Sequence, residues 1–293
     1  MHDKTTFSVP VTHRSLLLPI LLSLLAFAAN SVFCRLALRD GAIDATAFTA
    51  IRLGSGALVL AALVYCTRRP RNPAGSWAGG LALFAYAWLF SLAYLQLGAG
   101  TGALILFGAV QISMFAFGMC RGELLQRKVL LGMLIAFAGL LALLLPGTDA
   151  PPLASALVML TAGIAWGAYS LLGKGSADPL AATAGNFLRS LPLVLGAVVA
   201  MALSGASLRW SGEGVLYALG SGVLASGAGY SLWYSVVKCI SSQQAATMQL
   251  SVPVLAALGG VLLLGEPLTW RLGLTSLVVL GGVALALLPT RRG

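Results

Sequence analysis

Charge is what this sequence has least of. Only 9% of its 293 residues are Asp, Glu, Lys or Arg, where soluble domains carry about 25%. A surface that poor in charge does not keep an ordinary globular enzyme in solution. Acids are scarcer than bases, 8 against 18, for a formal net charge of +10. The 2 histidines, His2 and His13, both precede the first long apolar run, which removes imidazole as a buried base or metal ligand. The 4 cysteines, Cys34, Cys66, Cys120 and Cys239, have neither disulfide nor zinc spacing. No HExxH, P-loop or GxSxG sequence occurs. A membrane enzyme would need clustered acids, histidines or a metal site. Here the acids are scattered singly, so the chain reads as a non-enzyme with no cofactor and no metal.

What the chain has is apolar length. Its composition is 59% hydrophobic and its mean hydropathy is +0.94. The few charges punctuate runs near the ~20 residues that a helix needs to cross a bilayer. The long run 72–120 divides at Gly98-Ala99-Gly100-Thr101-Gly102, a turn between two helices. Ten helices are predicted, over about 15–37, 45–66, 76–97, 101–120, 128–146, 152–173, 180–204, 213–237, 243–264 and 269–289. The first run continues past Ala29 through Leu36, longer than a signal-peptide core, and is read as a span. The expected class is an all-α integral membrane protein.

Basic residues in short loops set orientation. With the N-terminus cytoplasmic, the inner segments hold Lys4, Arg14, Arg68, Arg69, Arg71, Arg121, Arg127, Lys128, Lys174, Lys238, Arg291 and Arg292, which is 12 of the 18 bases. Ten spans return the C-terminus to the same side. The basic excess is then an orientation signal and needs no nucleic-acid partner. A multi-pass protein of the inner membrane with both termini cytoplasmic is expected.

The chain also repeats. Glu123 and Glu266 each close a span after a glycine, 143 positions apart, and Arg52 and Arg189 lie 137 apart in the second helix of each half. The expected organisation is a tail (1–14), a first repeat of five helices (15–147) and a second (152–290). An odd number of helices enters the second copy from the opposite side, so the repeats are inverted, as in many carriers. With both halves in one chain, a monomer is expected over a dimer.

Ala165-Trp166-Gly167, the paired Arg52 and Arg189, and Pro253 followed by Gly265-Glu266-Pro267 carry a resemblance over about 15–290. The chain resembles the drug/metabolite transporter superfamily, in its ten-helix members built from two EamA-type repeats. Among these it is most similar to the bacterial aromatic amino-acid and paraquat exporters. Val110-Gln111 stands where the second half has Pro253, and no Trp-Gly pair occurs near Asn30. The resemblance implies a central cavity, alternating access and export of small amphipathic metabolites, aromatic or other neutral amino acids first. Threonine-like amino acids, nucleosides and cationic drugs are the alternatives.

Candidate substrate residues are the polar and aromatic side chains that lipid does not favour. Tyr86, Phe90 and Tyr94 recur every four residues in the third helix, and Trp166 and Tyr169 are three apart in the sixth. Tyr230 and Trp233 share a stripe with Tyr234 in the eighth, while Asn30, Gln111 and Gln249 place amides in spans. Aromatic walls with a few amides suit a flat amphipathic molecule, the small-molecule partner expected besides the lipid bilayer. Tyr94 and Trp233 also lie near enough to span ends to serve as interfacial anchors. Pro253 is a candidate gating hinge or a static bend. Arg52 and Arg189 are the charges well inside spans. They either bind a substrate carboxylate or satisfy backbone carbonyls near a helix end, and their duplication favours the structural role. No Asp or Glu falls mid-span, so transport down the substrate gradient is expected rather than proton coupling.

Overall fold

The computed structural model describes residues 13–67, 74–120, 127–147, 149–173, 176–206, 208–237 and 248–287. Ten helices account for nearly all of them: α1 (His13–Leu38), α2 (Ala45–Cys66), α3 (Trp77–Ala93), α4 (Ala99–Cys120), α5 (Arg127–Leu144), α6 (Leu153–Gly173), α7 (Pro179–Leu203), α8, α9 (Ser251–Leu264) and α10 (Trp270–Leu287). Three contiguous pieces make up α8, namely Gly212–Leu219, a π-helical stretch Gly220–Ala228, and Gly229–Val237. Seven helices are long and apolar enough to cross a membrane, and α3, α9 and α10 are shorter apolar helices. Leu21, Leu58, Leu157, Leu195 and Leu262 stay exposed on their flanks, as expected where lipid rather than water surrounds a bundle.

Side chains set the helix starts. Asp44 caps α2, its Oδ1 accepting from the amides of Thr46 (2.9 Å) and Ala47 (2.8 Å). Ser76 caps α3 and Ser211 caps α8 in the same way. Asp178 caps α7, where Pro179 takes the first helical position and loses no hydrogen bond there.

One helix departs from expectation. Tyr94 forms the C-cap of α3, so that helix ends at Ala93 rather than 97. The chain is helical at Met248 and Gln249, turns at Leu250 and is helical again from Ser251, where α9 starts. Pro253 lies in the first turn of α9, close behind the helical residues Met248 and Gln249. Residues 243–247 lie outside the described residues, as do Glu123, Cys239 and most of the basic residues assigned to the inner loops.

Packing follows a pattern. The pairs α2–α7, α4–α9 and α5–α10 are in contact, as are α3–α6 with α1–α8, α4–α6 with α1–α9, and α3–α7 with α2–α8. Exchanging each helix for the one five places later maps this set onto itself.

Five loops meet at one end. The amide of Asp44 donates to the Arg209 carbonyl (3.1 Å), and Ser211 donates to Ala42 (2.8 Å), joining the α1–α2 and α7–α8 connections. Glu266 accepts from Arg35 Nε through Oε1 (3.1 Å) and from the Ala99 amide through Oε2 (2.7 Å). It thereby ties α1 and the N-terminus of α4 to the α9–α10 loop and places a carboxylate at a helix start. Arg271 donates to the Leu145 carbonyl (2.6 Å) across the α5–α6 loop.

Candidate functional site

A small cavity lies where α1, α3, α4, α6, α8 and the helical residues just before α9 converge. Its walls are Phe27, Asn30, Ser31, Tyr86, Phe90, Leu106, Phe107, Trp166, Ala225, Ser226, Tyr230 and Gln249. The free space is about 30 Å³, room for one or two waters. A ring-bearing solute enters only if side chains move apart.

Aromatic rings form a continuous chain through this centre. Tyr94 meets Phe90 edge-on (4.6 Å between centroids), and Phe90 meets Tyr86 (5.4 Å). Tyr86 meets Trp166 (4.6 Å), which contacts Tyr230 (5.6 Å) and Tyr169 (5.2 Å). Tyr230 and Trp233 both flank Phe27, at 5.9 and 5.6 Å. The contacts are edge-on or tilted, the usual geometry of packed rings, and they give the centre an aromatic lining.

A polar chain crosses the rings. Ser221 Oγ donates to Asn30 Oδ1 (2.6 Å), Asn30 Nδ2 donates to Tyr86 Oη (3.4 Å), and Arg52 Nη2 donates to the same Oη (3.1 Å). Ser221 belongs to the π-helical part of α8, a distortion frequent at functional sites. Gly222 follows it, and a Cβ there would collide with the Arg52 carbonyl and the Ser55 hydroxyl. The absence of a side chain lets α8 press against α2 beside Arg52.

Of the residues expected from sequence, Asn30, Tyr86, Trp166, Tyr230 and Gln249 stand in the cavity wall. Tyr169 and Trp233 stand one ring behind it. Tyr94 is fully buried and donates from its hydroxyl to the Ala99 carbonyl (3.2 Å), so it belongs to the loop end of the aromatic chain. Gln111 is half-buried on α4 and outside the wall. Sequence reasoning missed Phe27, Ser31, Phe107 and Ser226, because a search for polar side chains in apolar spans passes over phenylalanine and small hydroxyls. The helical spacing of Phe27 to Asn30 was the available signal.

The paired arginines are not equivalent. Arg189 Nη1 donates to two backbone carbonyls, Ala74 (2.8 Å) and Gly185 (3.0 Å), the structural role expected of both. Arg52 departs from that expectation. It is 1% exposed, which excludes snorkelling, and its side chain bonds Tyr86 rather than a carbonyl. The cause lies one turn earlier. A Cβ on Gly185 would strike the Ala74 carbonyl, so glycine admits that acceptor to the surface of α7. The position 137 residues earlier in sequence holds Phe48, fully buried and too large to leave such an opening.

Residues 153–288 match the EamA-like transporter family. A protein of Pseudomonas aeruginosa described as uncharacterized (PA1977) is 58% identical over 277 residues, spanning 94% of this chain and 95% of its own. The chain belongs to the EamA-like transporter family. As an EamA-like protein it is a multi-pass membrane protein of a transporter family. One solved crystal structure, 20% identical, aligns with a TM-score of 0.64 over 90% of this EamA-like chain and 96% of its own, a likeness of fold alone. The family match covers the second half, which contains Trp166, Tyr230 and Gln249.

Proposed function

We propose that this protein is a facilitator that moves small amphipathic metabolites, aromatic or other neutral amino acids first, out of the cell by alternating access. The observation that carries the reading is the ring-lined cavity at the junction of helices drawn from both halves of the chain. Trp166, Tyr86, Tyr230 and Phe27 surround it, and Asn30, Ser226 and Gln249 supply a few oriented polar groups. That mixture fits a flat body with one polar end.

Inverted repeats over 15–147 and 152–290 are part of this reading, and the exchange-symmetric helix pairing supports them. Two similar halves give two nearly equal conformations that open to opposite sides. The small central space and the Glu266–Arg35 contact at one end fit a closed conformation. A monomer in the inner membrane, both termini cytoplasmic, with no enzymatic activity, completes the proposal. A cationic drug is the poorer alternative, since the wall holds no carboxylate among the described residues.

Counterflow in proteoliposomes tests it. Vesicles loaded with unlabelled tryptophan, phenylalanine or threonine should accumulate the labelled amino acid transiently, the aromatic ones fastest. Absence of flux for all three overturns the substrate class.

A further inference from the structure

Arg52 has an unusual inventory for a span residue. Its guanidinium is sealed from solvent, and Nε and Nη1 have no hydrogen-bond partner. Its carbon stands 5.2 Å from the Tyr86 ring centroid and 5.1 Å from that of Phe90. Among the described residues the ion pairs are Arg35–Glu266 and Arg39–Asp40, so no acid neutralises Arg52. Ring faces offset part of the desolvation of a cation but leave its hydrogen-bond donors unused. A buried charge without a partner is retained where a ligand or a change of state uses it.

Tyr86 points to the ligand. Its hydroxyl oxygen accepts from Arg52 Nη2 (3.1 Å) and from Asn30 Nδ2 (3.4 Å). The amide of Asn30 is oriented for this by Ser221, which donates to Oδ1. With two donors aimed at Oη, the phenol proton must be directed elsewhere. No acceptor is paired with it among the described residues, and Tyr86 lines the cavity. The site therefore presents one O–H donor, backed by a full positive charge, among rings.

We propose that Tyr86 and Arg52 form an anion-recognising end of the cavity, which takes the carboxylate of a flat, ring-bearing substrate. Tyr86 is the residue that touches the carboxylate, donating its O–H to it. Arg52 is a positioning residue, which supplies compensating charge from behind the phenol and holds its oxygen so that the proton faces the guest. The substrate's amine has no dedicated acid to meet, so selectivity rests on the acid group. This inference deepens the transport reading and rests on it.

Calorimetric titration of the purified protein in detergent with four single-ring probes tests the proposal: phenylalanine, 3-phenylpropionate, phenethylamine and 2-phenylethanol. Both carboxylates should bind at least about tenfold more tightly than the amine or the alcohol, the range expected for a charge-assisted hydrogen bond. Tyr86→Phe keeps the ring and should remove that preference, weakening both carboxylates far more than 2-phenylethanol. Arg52→Gln should do the same, and Arg52→Lys should restore part of it. An amine or alcohol that binds as well as 3-phenylpropionate overturns the inference and leaves the transport reading intact. So does a Tyr86→Phe protein that keeps the acid preference. Failure of all four probes to bind overturns the transport reading, and this inference with it. Wild-type selectivity and Tyr86→Phe decide the matter even if Arg52→Gln does not fold.

Discussion

Arg52 donates a 3.1 Å hydrogen bond to the hydroxyl of Tyr86, across the interface between the second and third helices. The bond turns a charge inward that its counterpart in the second half, Arg189, spends on backbone carbonyls. Two halves with similar packing thus hold chemically different centres, and the difference falls beside the cavity.

Arg189 should matter for stability and not for selectivity. Arg189→Met leaves the Ala74 and Gly185 carbonyls without their donor. The expected loss is about 1–3 kcal/mol, read as a lowered thermal midpoint in detergent. Relative binding of 3-phenylpropionate and 2-phenylethanol should not change. A shift in that ratio would contradict the assignment.

Two glycines should answer alanine in opposite directions. Gly222→Ala forces a methyl group into the Arg52 carbonyl and the Ser55 hydroxyl. Overpacking of this kind typically costs about 1–3 kcal/mol. Gly54 has no atom near its would-be Cβ, so Gly54→Ala should be neutral or stabilise α2 by up to about 1 kcal/mol. Thermal midpoints of the two variants check both signs.

The Glu266 carboxylate joins Arg35 to the start of α4 at the end where five loops meet. Glu266→Gln removes the ion pair and should favour opening there. A cysteine placed at Leu97, now 1% exposed, should react several-fold faster with a membrane-impermeant thiol reagent once the native cysteines are replaced. Unchanged reactivity would mean that the contact does not hold this end shut.

An imposed pH gradient should drive no uptake in proteoliposomes that lack a substrate gradient. Among the described residues every Asp and Glu lies in a loop or at a helix end, so no membrane-embedded carboxylate is available to carry a proton. Accumulation against the substrate gradient would require another proton carrier and would reject facilitated transport.

Much of the fold was legible because charge is so scarce. Asp44, Asp178, Arg127 and Arg39 each stand within a residue or two of a helix terminus, and the intervals between such residues outline the spans. The boundary failed where no charge marks it, at Tyr94, where backbone geometry decides. The site was half legible. Polar residues in apolar runs signalled Asn30, Tyr86, Trp166, Tyr230 and Gln249, because burying such groups needs a reason. Phe27 and Phe107 gave no such signal, since phenylalanine suits lipid and cavity alike. Arg52 misled because its spacing matched Arg189. The difference between Gly185 and Phe48 acquires meaning only once the packing of Ala74 on α7 is known.

Phenylalanine counterflow by the wild type and by Trp166→Ala tests the central claim most directly, with Trp77→Ala as the control at an exposed position. If the ring-lined cavity is the transport site, the wild type and Trp77→Ala exchange label at similar rates. Trp166→Ala, folded by size exclusion, loses about tenfold or more, as expected for removal of a central aromatic contact. Equal exchange by Trp166→Ala and the wild type would place transport elsewhere and contradict the account.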